Sequence, residues 1–159
     1  MYFVSRKSLL VATLCATLAA CGGKALAPPP PPTIVQLTVA ADSTANPDSK
    51  GRATPVVVRY YLLGNSGPFE AADFFSLFDA DDKTLGATAV SREEVTLRPG
   101  ERIQSRLTPQ SEAKMLGVFV AYRDPNKTQW RAVAPVPANK TTAYTVSVQR
   151  DRVTITPTP

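Results

Sequence analysis

The sequence predicts a mainly β protein, an antiparallel β-sandwich of about eight strands with a short helical insertion. Seven short segments carry apolar residues at alternate positions, as half-buried strands do, and an eighth is apolar on both faces; turn-forming residues separate them at short intervals. Only one segment shows the spacing of an amphipathic helix. The chain has 159 residues, of which 43% are hydrophobic and 19% charged, and this composition suits one globular domain.

The first twenty residues have the layout of a bacterial signal peptide. Arg6 and Lys7 precede an apolar run that is too short for a bilayer span, which takes roughly 20 apolar residues. The run ends in Leu-Ala-Ala-Cys-Gly at residues 18–22, which resembles the lipobox of bacterial lipoproteins. We therefore expect residues 1–20 to be removed and Cys21 to be the lipid attachment residue, because its thiol is the nucleophile that forms a thioether with a diacylglycerol. The alternative is an ordinary signal peptide followed by a chance cysteine.

Residues 21–32 are predicted to be a tether between the lipid and a folded domain at residues 33–159. Five consecutive prolines at residues 28–32 favour the polyproline II conformation, which rises about 3.1 Å per residue. A spacer explains this stretch better than a proline-rich ligand for an aromatic groove, because it closely follows the lipidated cysteine. Gly22 stands where an acidic residue would indicate retention in the inner membrane, so bacterial sorting rules, by resemblance, indicate the outer membrane.

The strands are predicted from alternating apolar residues or, in one case, from an apolar run. The sequence Arg98-Pro99-Gly100 separates the third and fourth strands, and Pro followed by Gly suits the two central positions of a type II turn. Residues 124–127 form a second predicted turn. The predicted strands are residues 33–40, 56–63, 94–97, 101–107, 116–122, 130–136, 142–148 and 152–156.

A helix is predicted from residue 67 to the acidic run that follows Phe78. Ala71, Phe74, Phe75 and Phe78 have the spacing i, i+3, i+4, i+7, which predicts one apolar stripe packed against the sheet. The alternative is that these aromatic side chains are exposed and bind a ligand.

The connection between the first two predicted strands is a polar loop of fourteen residues, 41–54. Loops of that length are uncommon in compact domains unless they bind something or are disordered. A solvated loop without a function is the alternative interpretation. We predict partner binding by its turn-forming and charged residues, which are Asn46, Pro47, Asp48, Lys50, Gly51 and Arg52.

The composition excludes most catalytic and metal chemistry. The chain has no histidine, which excludes a Ser-His-Asp triad and a His-ligated metal, and one of its two cysteines lies in the predicted signal peptide. A glycoside hydrolase needs two carboxyl groups across a cleft, for which a small sandwich has little material. We therefore predict no enzyme activity, no metal site and no cofactor besides the lipid on Cys21. The carboxylates considered are Asp73, Asp79, Asp81, Asp82, Glu93 and Glu94.

The net charge does not indicate a nucleic-acid partner. The formal charge of +5 includes Arg6 and Lys7, and their removal leaves 16 basic and 13 acidic residues, a charge of +3. Most arginines are predicted to lie on outward strand positions, where they keep the sheets soluble and discourage edge-to-edge pairing. They are Arg92, Arg98, Arg102, Arg106, Arg123, Arg131, Arg150 and Arg152.

Several of these segments together resemble the type VI secretion lipoproteins of the TssJ family, also called SciN or VasD. They are ADFFSLF at residues 72–78, RPGE at residues 98–101 and the Trp-Arg pair at residues 130–131, which occur in the family's order behind the lipobox. The resemblance implies a transthyretin-like β-sandwich that is anchored by lipid in the outer membrane and faces the periplasm.

The resemblance also implies a function without chemistry. Members of the family bind the periplasmic C-terminal region of the inner-membrane protein TssM, and so join a membrane complex that also contains TssL. The family's partner contacts lie in the loop between the first two strands, which corresponds here to residues 41–54. Two alternatives stay open, a general lipoprotein binding module and a structural lipoprotein that contacts the cell wall.

Overall fold

The computed structural model of the chain describes residues 28–109 and 112–158. Two short 3-10 helices, Gly86–Thr88 and Pro125–Lys127, lie in connections of this part of the chain. The predicted signal peptide and Cys21 lie outside the described residues. The other elements, in order, are β1 (Ile34–Ala41), β2 (Val56–Leu63), α1 (Gly67–Ala71), α2 (Phe74–Leu85), β3 (Ala89–Leu97), β4 (Arg102–Leu107), β5 (Met115–Val120), β6 (Arg131–Pro135), β7 (Thr141–Val148) and β8 (Val153–Pro157).

The strands form a sandwich of two four-stranded sheets. The first sheet has the order β4-β1-β7-β8 and the second has the order β3-β2-β5-β6. Neighbouring strands are antiparallel except β1 and β7, which run parallel with Ile34 opposite Thr141. The predicted mainly β sandwich with a helical insertion is confirmed, and the parallel pair is a feature that local sequence patterns did not predict.

The main core lies between the two sheets and follows the alternation of the strands. Val35, Leu37 and Val39 of β1 point inward and are at most 2% exposed, and Val58 and Leu62 of β2 face them from the second sheet. Burial of each such side chain contributes about 1.5–3 kcal/mol to folding. The alternating pattern therefore predicted both these strands and the face that each one buries.

Strand β1 carries the chain from one end of the sandwich to the other. It begins after Thr33, whose hydroxyl accepts a hydrogen bond from the main-chain N–H of Asn139 at 2.9 Å; we call this the tether end. It finishes at Ala41, where the β1–β2 loop starts; we call this the loop end. An eight-residue strand separates the two ends by roughly 26 Å.

The third strand is longer than predicted. Residues 94–97 are the last part of β3, which pairs with β2 from Leu63 opposite Ala89 to Val56 opposite Leu97. The part of β3 that was not predicted begins with Ala89 and Val90 and continues with three polar residues, and β3 lies at the edge of its sheet. Strand β2 has its predicted bounds, and the remaining strands differ from theirs by one or two residues. The predicted turn before Glu101 is present, since the N–H of Glu101 donates to the carbonyl of Arg98 at 3.0 Å and Gly100 has φ +81°.

The prediction of a single helix is wrong. The chain forms α1 and α2, separated at Ala72 and Asp73, which have extended backbone. The carboxylate of Asp73 accepts a hydrogen bond from the N–H of Ser76 at 2.9 Å and caps a new helix. Because a new helix begins here, the residues that face the sheet differ from those of the predicted stripe. Neither helix, nor any other helix of the described residues, is long and apolar enough to cross a bilayer.

The predicted apolar stripe is also wrong in its most important members. Phe75 is 62% exposed and Phe78 is 41% exposed, whereas Phe69 of α1 and Leu77 and Leu85 of α2 are buried. The buried three pack with Tyr61, Leu63 and Phe119 in a second core on the outer face of the second sheet. The two helices thus cover that sheet, and they leave two phenylalanine rings in solvent.

Candidate binding site

Three loops meet at the loop end of the sandwich and border one groove. They are the β1–β2 loop (residues 42–55), the β5–β6 loop (121–130) and the β7–β8 loop (149–152). The groove has a volume of about 650 Å³. The residues that line it come from all three loops, so the site depends on the strand order and not on one segment.

The β1–β2 loop folds into a small hairpin. Pro47 and Ala53 form an antiparallel bridge, and the chain turns between them at Gly51, which has φ +77°. The carboxylate of Asp48 accepts the main-chain N–H groups of Lys50 and Arg52, each at 2.9 Å. Bonds from the main chain and the side chain of Arg52 lower the pKa of Asp48 below its ordinary value. The loop therefore has a defined shape before it meets a partner.

Asn46 fixes this hairpin to the neighbouring loop. It is 4% exposed and has φ +51°, a backbone conformation that asparagine tolerates better than most residues. Its amide nitrogen donates to Thr54 Oγ1 and to the carbonyl of Pro55, each at 3.0 Å. Its amide oxygen accepts the main-chain N–H of Arg123 at 2.9 Å. Because this side chain is buried, Asn46 holds the site, and direct contact is left to the exposed residues of the loop.

The predicted binding residues thus separate into two groups. Pro47 and Asp48 are half-buried and shape the hairpin, while Lys50, Gly51 and Arg52 at its tip are exposed. The side chain of Arg52 is 73% exposed although it pairs with Asp48 at 2.8 Å. Partner contact by this tip stays a prediction, and the tip is the part of the loop that a partner can reach.

Tyr122 holds the third loop in place. Its hydroxyl lies 2.6 Å from the carbonyl of Arg152 and 3.0 Å from the carbonyl of Gln149. Burial raises the pKa of Tyr122, and the nearby charge of Asp151 raises it further, so the phenol stays protonated and keeps donating. The main chain adds to this link, because the N–H of Gln129 donates to the carbonyl of Asp151 at 2.9 Å.

The rim of the groove is charged with both signs, which suits a contact surface. The residues on it are Asp48, Arg123, Asp124, Lys127, Arg150 and Asp151. Lys127 and Asp124 pair at 3.2 Å across an exposed turn, an arrangement that contributes little to stability. Charged rims of this kind direct association and specificity in protein complexes.

The carboxylates that the sequence offered as acid–base candidates have structural roles where their contacts are defined. Asp73 caps α2, Glu93 accepts from Tyr60 and Ser105, and Asp81 accepts from Tyr61 and Arg92. Within residues 28–109 and 112–158, no group of three or more Asp, Glu or Cys side chains is placed to hold a metal ion. The arrangement supports binding and gives no indication of catalysis.

The sequence predicted binding for one of the three loops, and it predicted the other two only as connections between strands. The predicted turn at residues 124–127 is the 3-10 helix Pro125–Lys127 and its capping residue, within the longer β5–β6 loop. Nothing in the local sequence signals that this loop meets the β1–β2 loop, because the meeting depends on the pairing of β2 with β5. Of the eight arginines predicted to lie outward, seven are exposed, and Arg131 is the exception. It is half-buried and donates to the carbonyls of Phe69 and Ala72, which fixes α1.

The comparisons with known proteins agree on one family. The sequence matches the type VI secretion lipoproteins described as VasD, EvfM and TssJ over residues 33–151. The crystal structure of the type VI secretion lipoprotein TssJ1 from Pseudomonas aeruginosa is 34% identical, with a TM-score of 0.78, over 81% of this chain and 98% of that chain. Among curated proteins, no sequence matches this chain.

Two further solved structures share the fold at lower identity. Lip from Serratia marcescens, described as a membrane-bound component of the type VI secretion system, is 22% identical with a TM-score of 0.72 over 80% of this chain and 97% of that chain. A structure described as the TssM C-terminal domain (869–1107) from EAEC contains a chain that is 24% identical, with a TM-score of 0.64, over 79% of this chain and 99% of that chain.

Proposed function

We propose that this chain, which belongs to the family of type VI secretion lipoproteins that includes VasD, EvfM and TssJ, binds the periplasmic C-terminal region of a TssM-like inner-membrane protein. The contact is made by the loop end of the sandwich, and in this way the lipoprotein joins the type VI membrane complex. The observation that carries the proposal is the convergence of three interlocked loops on one charged groove.

The direction of the chain supports this placement. The tether enters at Thr33, and β1 leads from there to Ala41 at the opposite end. A lipid on Cys21, anchored in the inner leaflet of the outer membrane, would leave the loop end pointing into the periplasm. A long inner-membrane protein would meet that end first.

The lengths of the matched chains add support. In the structure that is described as the TssM C-terminal domain (869–1107), 99% of the matched chain aligns with 79% of this chain. That matched chain is therefore about as long as this sandwich, and it is much shorter than the range 869–1107. A sandwich of this fold therefore occurs in a structure whose description names the proposed partner. The match to TssJ1 covers 98% of a crystallised chain with 81% of this one, which supports using the domain by itself.

The proposed function needs no cofactor and no catalytic residue. A preformed loop surface binds at a lower entropic cost than a flexible one, because it is already ordered. The exposed tip residues Lys50 and Arg52 supply charge, and the rigid hairpin beneath them fixes where that charge lies. Partner binding through this surface is thus contact between complementary shapes and charges.

Calorimetry with matched variants tests the proposal. The domain of residues 33–159 is titrated with the periplasmic C-terminal region of a TssM-like protein. Lys50→Glu at the loop end should weaken binding by about tenfold, equivalent to about 1.4 kcal/mol. Lys140→Glu makes the same charge change on an exposed lysine at the tether end, and it should leave the affinity unchanged. If both variants change the affinity equally, the interface does not lie at the loop end. If the wild type does not bind, the TssM-like protein is not the partner.

A further inference from the structure

The described part of the chain exposes two large apolar side chains, and both lie on α2. Phe75 is 62% exposed and Phe78 is 41% exposed, although large aromatic side chains are mostly buried elsewhere in the fold. They are one helical turn apart and lie on the outer face of the second sheet, away from the groove between the three loops. Adjacent exposed aromatic rings are typical of protein-interaction sites.

These two rings rest on other aromatic side chains that connect them to the sheet. Phe74 stacks on Phe78 with ring centroids 5.9 Å apart, and it meets Phe75 edge-on at 5.3 Å. On its other side, Phe74 packs against Phe119 and Trp130, with ring centroids 5.1 Å and 5.4 Å away. The exposed rings are therefore held in position by packing and do not extend freely into solvent.

Polar contacts hold α2 in the orientation that exposes the rings. Arg59 donates from Nη1 to the carbonyl of Leu77 at 2.8 Å and to that of Phe78 at 2.9 Å. Asp81 turns toward the sheet, where its carboxylate accepts from the hydroxyl of Tyr61 at 2.7 Å and from Nε of Arg92 at 2.6 Å. Rotation of the helix to bury its rings would break these bonds, so the exposure is imposed by the fold.

A break in α2 allows Asp81 to point toward the sheet while Phe78 points toward solvent. Ala80 has φ −148° and ψ 46°, which is not helical, and Asp81 directly follows it. The change of direction lets Asp81 point inward while Phe78 stays outward. A ring that is fixed before binding loses less conformational entropy when a partner covers it.

The surface around the rings is acidic. Residues 67–85 contain five acidic residues and one lysine, in a chain whose total charge is +5. Asp81 is buried and pairs with Arg59 and Arg92, so the exposed residues of this segment carry a formal charge of −3. Asp79 directly follows Phe78 and Asp82 lies four residues after it; both are exposed, and neither forms an ion pair within 4 Å in the described part of the chain. Lys83 is the one basic residue of α2, and it is also exposed. This charge repels anionic lipid head groups and cell-wall carboxylates, and it attracts cationic side chains.

We propose that Phe75, Phe78, Asp79 and Asp82 form a docking surface, the aromatic face, for a basic amphipathic helix of a partner protein. Apolar side chains at helical spacing would pack between the two rings, and lysine or arginine side chains beside them would pair with the two carboxylates. The proposal does not depend on the function proposed for the loop end, because the two surfaces share no residue.

A designed peptide tests the chemistry of this surface. The probe is an eighteen-residue helix of leucine and lysine with its leucines on one face, and the control peptide has glutamate in place of lysine. We expect the lysine peptide to bind the domain of residues 33–159 and to change the fluorescence of Trp130, the single tryptophan of the chain, while the glutamate peptide binds at least tenfold more weakly. Equal binding of the two peptides would overturn the proposal.

Two pairs of variants locate the binding. The double variant Phe75→Ser, Phe78→Ser should bind the lysine peptide at least tenfold more weakly than the wild type. The double variant Asp79→Asn, Asp82→Asn should bind it severalfold more weakly, and it changes no residue of the core. The matched control is Asp124→Asn with Asp151→Asn at the loop groove, which should leave the affinity unchanged. An effect of the control pair equal to that of the Asp79 and Asp82 pair would overturn the proposal.

Two other occupants of the aromatic face, a second copy of the chain and a membrane, are tested by separate measurements. Sedimentation of the wild type should show a monomer, and vesicles with anionic lipid should not retain the domain. A dimer that disappears in the Phe75→Ser, Phe78→Ser variant would assign the face to a second copy of the chain and overturn the proposal. Retention on vesicles that requires the two rings would assign it to a membrane and overturn the proposal as well.

Discussion

The side chain of Asn46 binds the main chain of Arg123 across the loop end of the sandwich, with its amide oxygen 2.9 Å from the N–H. These two residues are 77 positions apart in sequence, and the bond joins the β1–β2 loop to the β5–β6 loop. Through it, the surface that carries the proposed function becomes one rigid unit. A buried side chain at the base of the loop therefore controls the position of the exposed residues at its tip.

Asn46→Ala should destabilise the domain and distort the loop. The change removes the bonds to Thr54, Pro55 and Arg123 and places alanine at φ +51°. We expect the free energy of unfolding to fall by about 1–3 kcal/mol, measured by urea denaturation. Asn46→Gly accepts the backbone conformation but also loses the bonds, so it should recover only part of the loss. An unchanged denaturation midpoint for Asn46→Ala would show that the bond to Arg123 does not hold the loop.

Phe75→Ala and Leu77→Ala should differ strongly although the residues are two positions apart. Phe75 is exposed, so its truncation should change the free energy of unfolding by no more than about 0.5 kcal/mol. Leu77 is fully buried under α2, and its truncation should cost about 2–5 kcal/mol. Thermal or urea melting of both variants measures this difference. Equal losses would mean that Phe75 is part of the core, as the helical spacing in the sequence predicts.

The carboxylate of Asp81 should make the helical insertion sensitive to acid. Burial opposes its ionisation, but hydrogen bonds from Tyr61 and Arg92 and the charges of Arg92 and Arg59 together lower the pKa of Asp81 below its ordinary 3.8. A lowered pKa means that this contribution to stability is present above pH 3.8 and is lost as the pH falls through the folded-state value.

Asp81→Asn is the variant that tests this assignment. It should be less stable than the wild type at pH 7, and its stability should fall less steeply between pH 5 and pH 2, a window set by the lowered pKa and measured by urea denaturation at several pH values. Asp79→Asn, an exposed neighbour in the same helix, is the control and should behave as the wild type. Parallel curves for Asp81→Asn and the wild type would contradict the role given to Asp81.

Cys21→Ser should leave a folded protein that no longer fractionates with the outer membrane. A single acyl chain binds a bilayer only marginally, so stable attachment takes more than one signal, and a lipoprotein cysteine by resemblance carries more than one chain. Fractionation of cells that express the full chain should find the wild type with the outer membrane and the variant absent from it. Membrane fractionation that is the same for both, with no lipid label on the wild type, would remove the anchor from the account.

The strands could be predicted from the sequence because their burial is local and regular. Val35, Leu37 and Val39 alternate with exposed or half-buried residues, and the structure buries all three. The first half of β3 could not be predicted in this way, since an edge strand with polar residues carries little alternation. Likewise, the parallel pairing of β1 with β7 joins segments about a hundred residues apart, which no local pattern records.

The face that the helix buries was mispredicted for a physical reason. Spacing alone placed Phe75 and Phe78 in one stripe with Ala71, but the cap at Asp73 starts a new helix, and Arg59 then fixes that helix by its main-chain carbonyls. These bonds bring Leu77 toward the sheet and leave the two rings outside. Part of the candidate site was missed for a similar reason, because its second and third loops are brought together only by strand pairing.

Chemical-shift mapping tests the central claim most directly. The isotope-labelled domain of residues 33–159 is titrated with the unlabelled periplasmic C-terminal region of the TssM-like protein. We expect the amide signals of Lys50, Arg52 and Lys127 to shift, while those of Asn139 and Lys140 at the tether end do not. Shifts confined to the tether end, or to the outer face of the first sheet, would contradict the account.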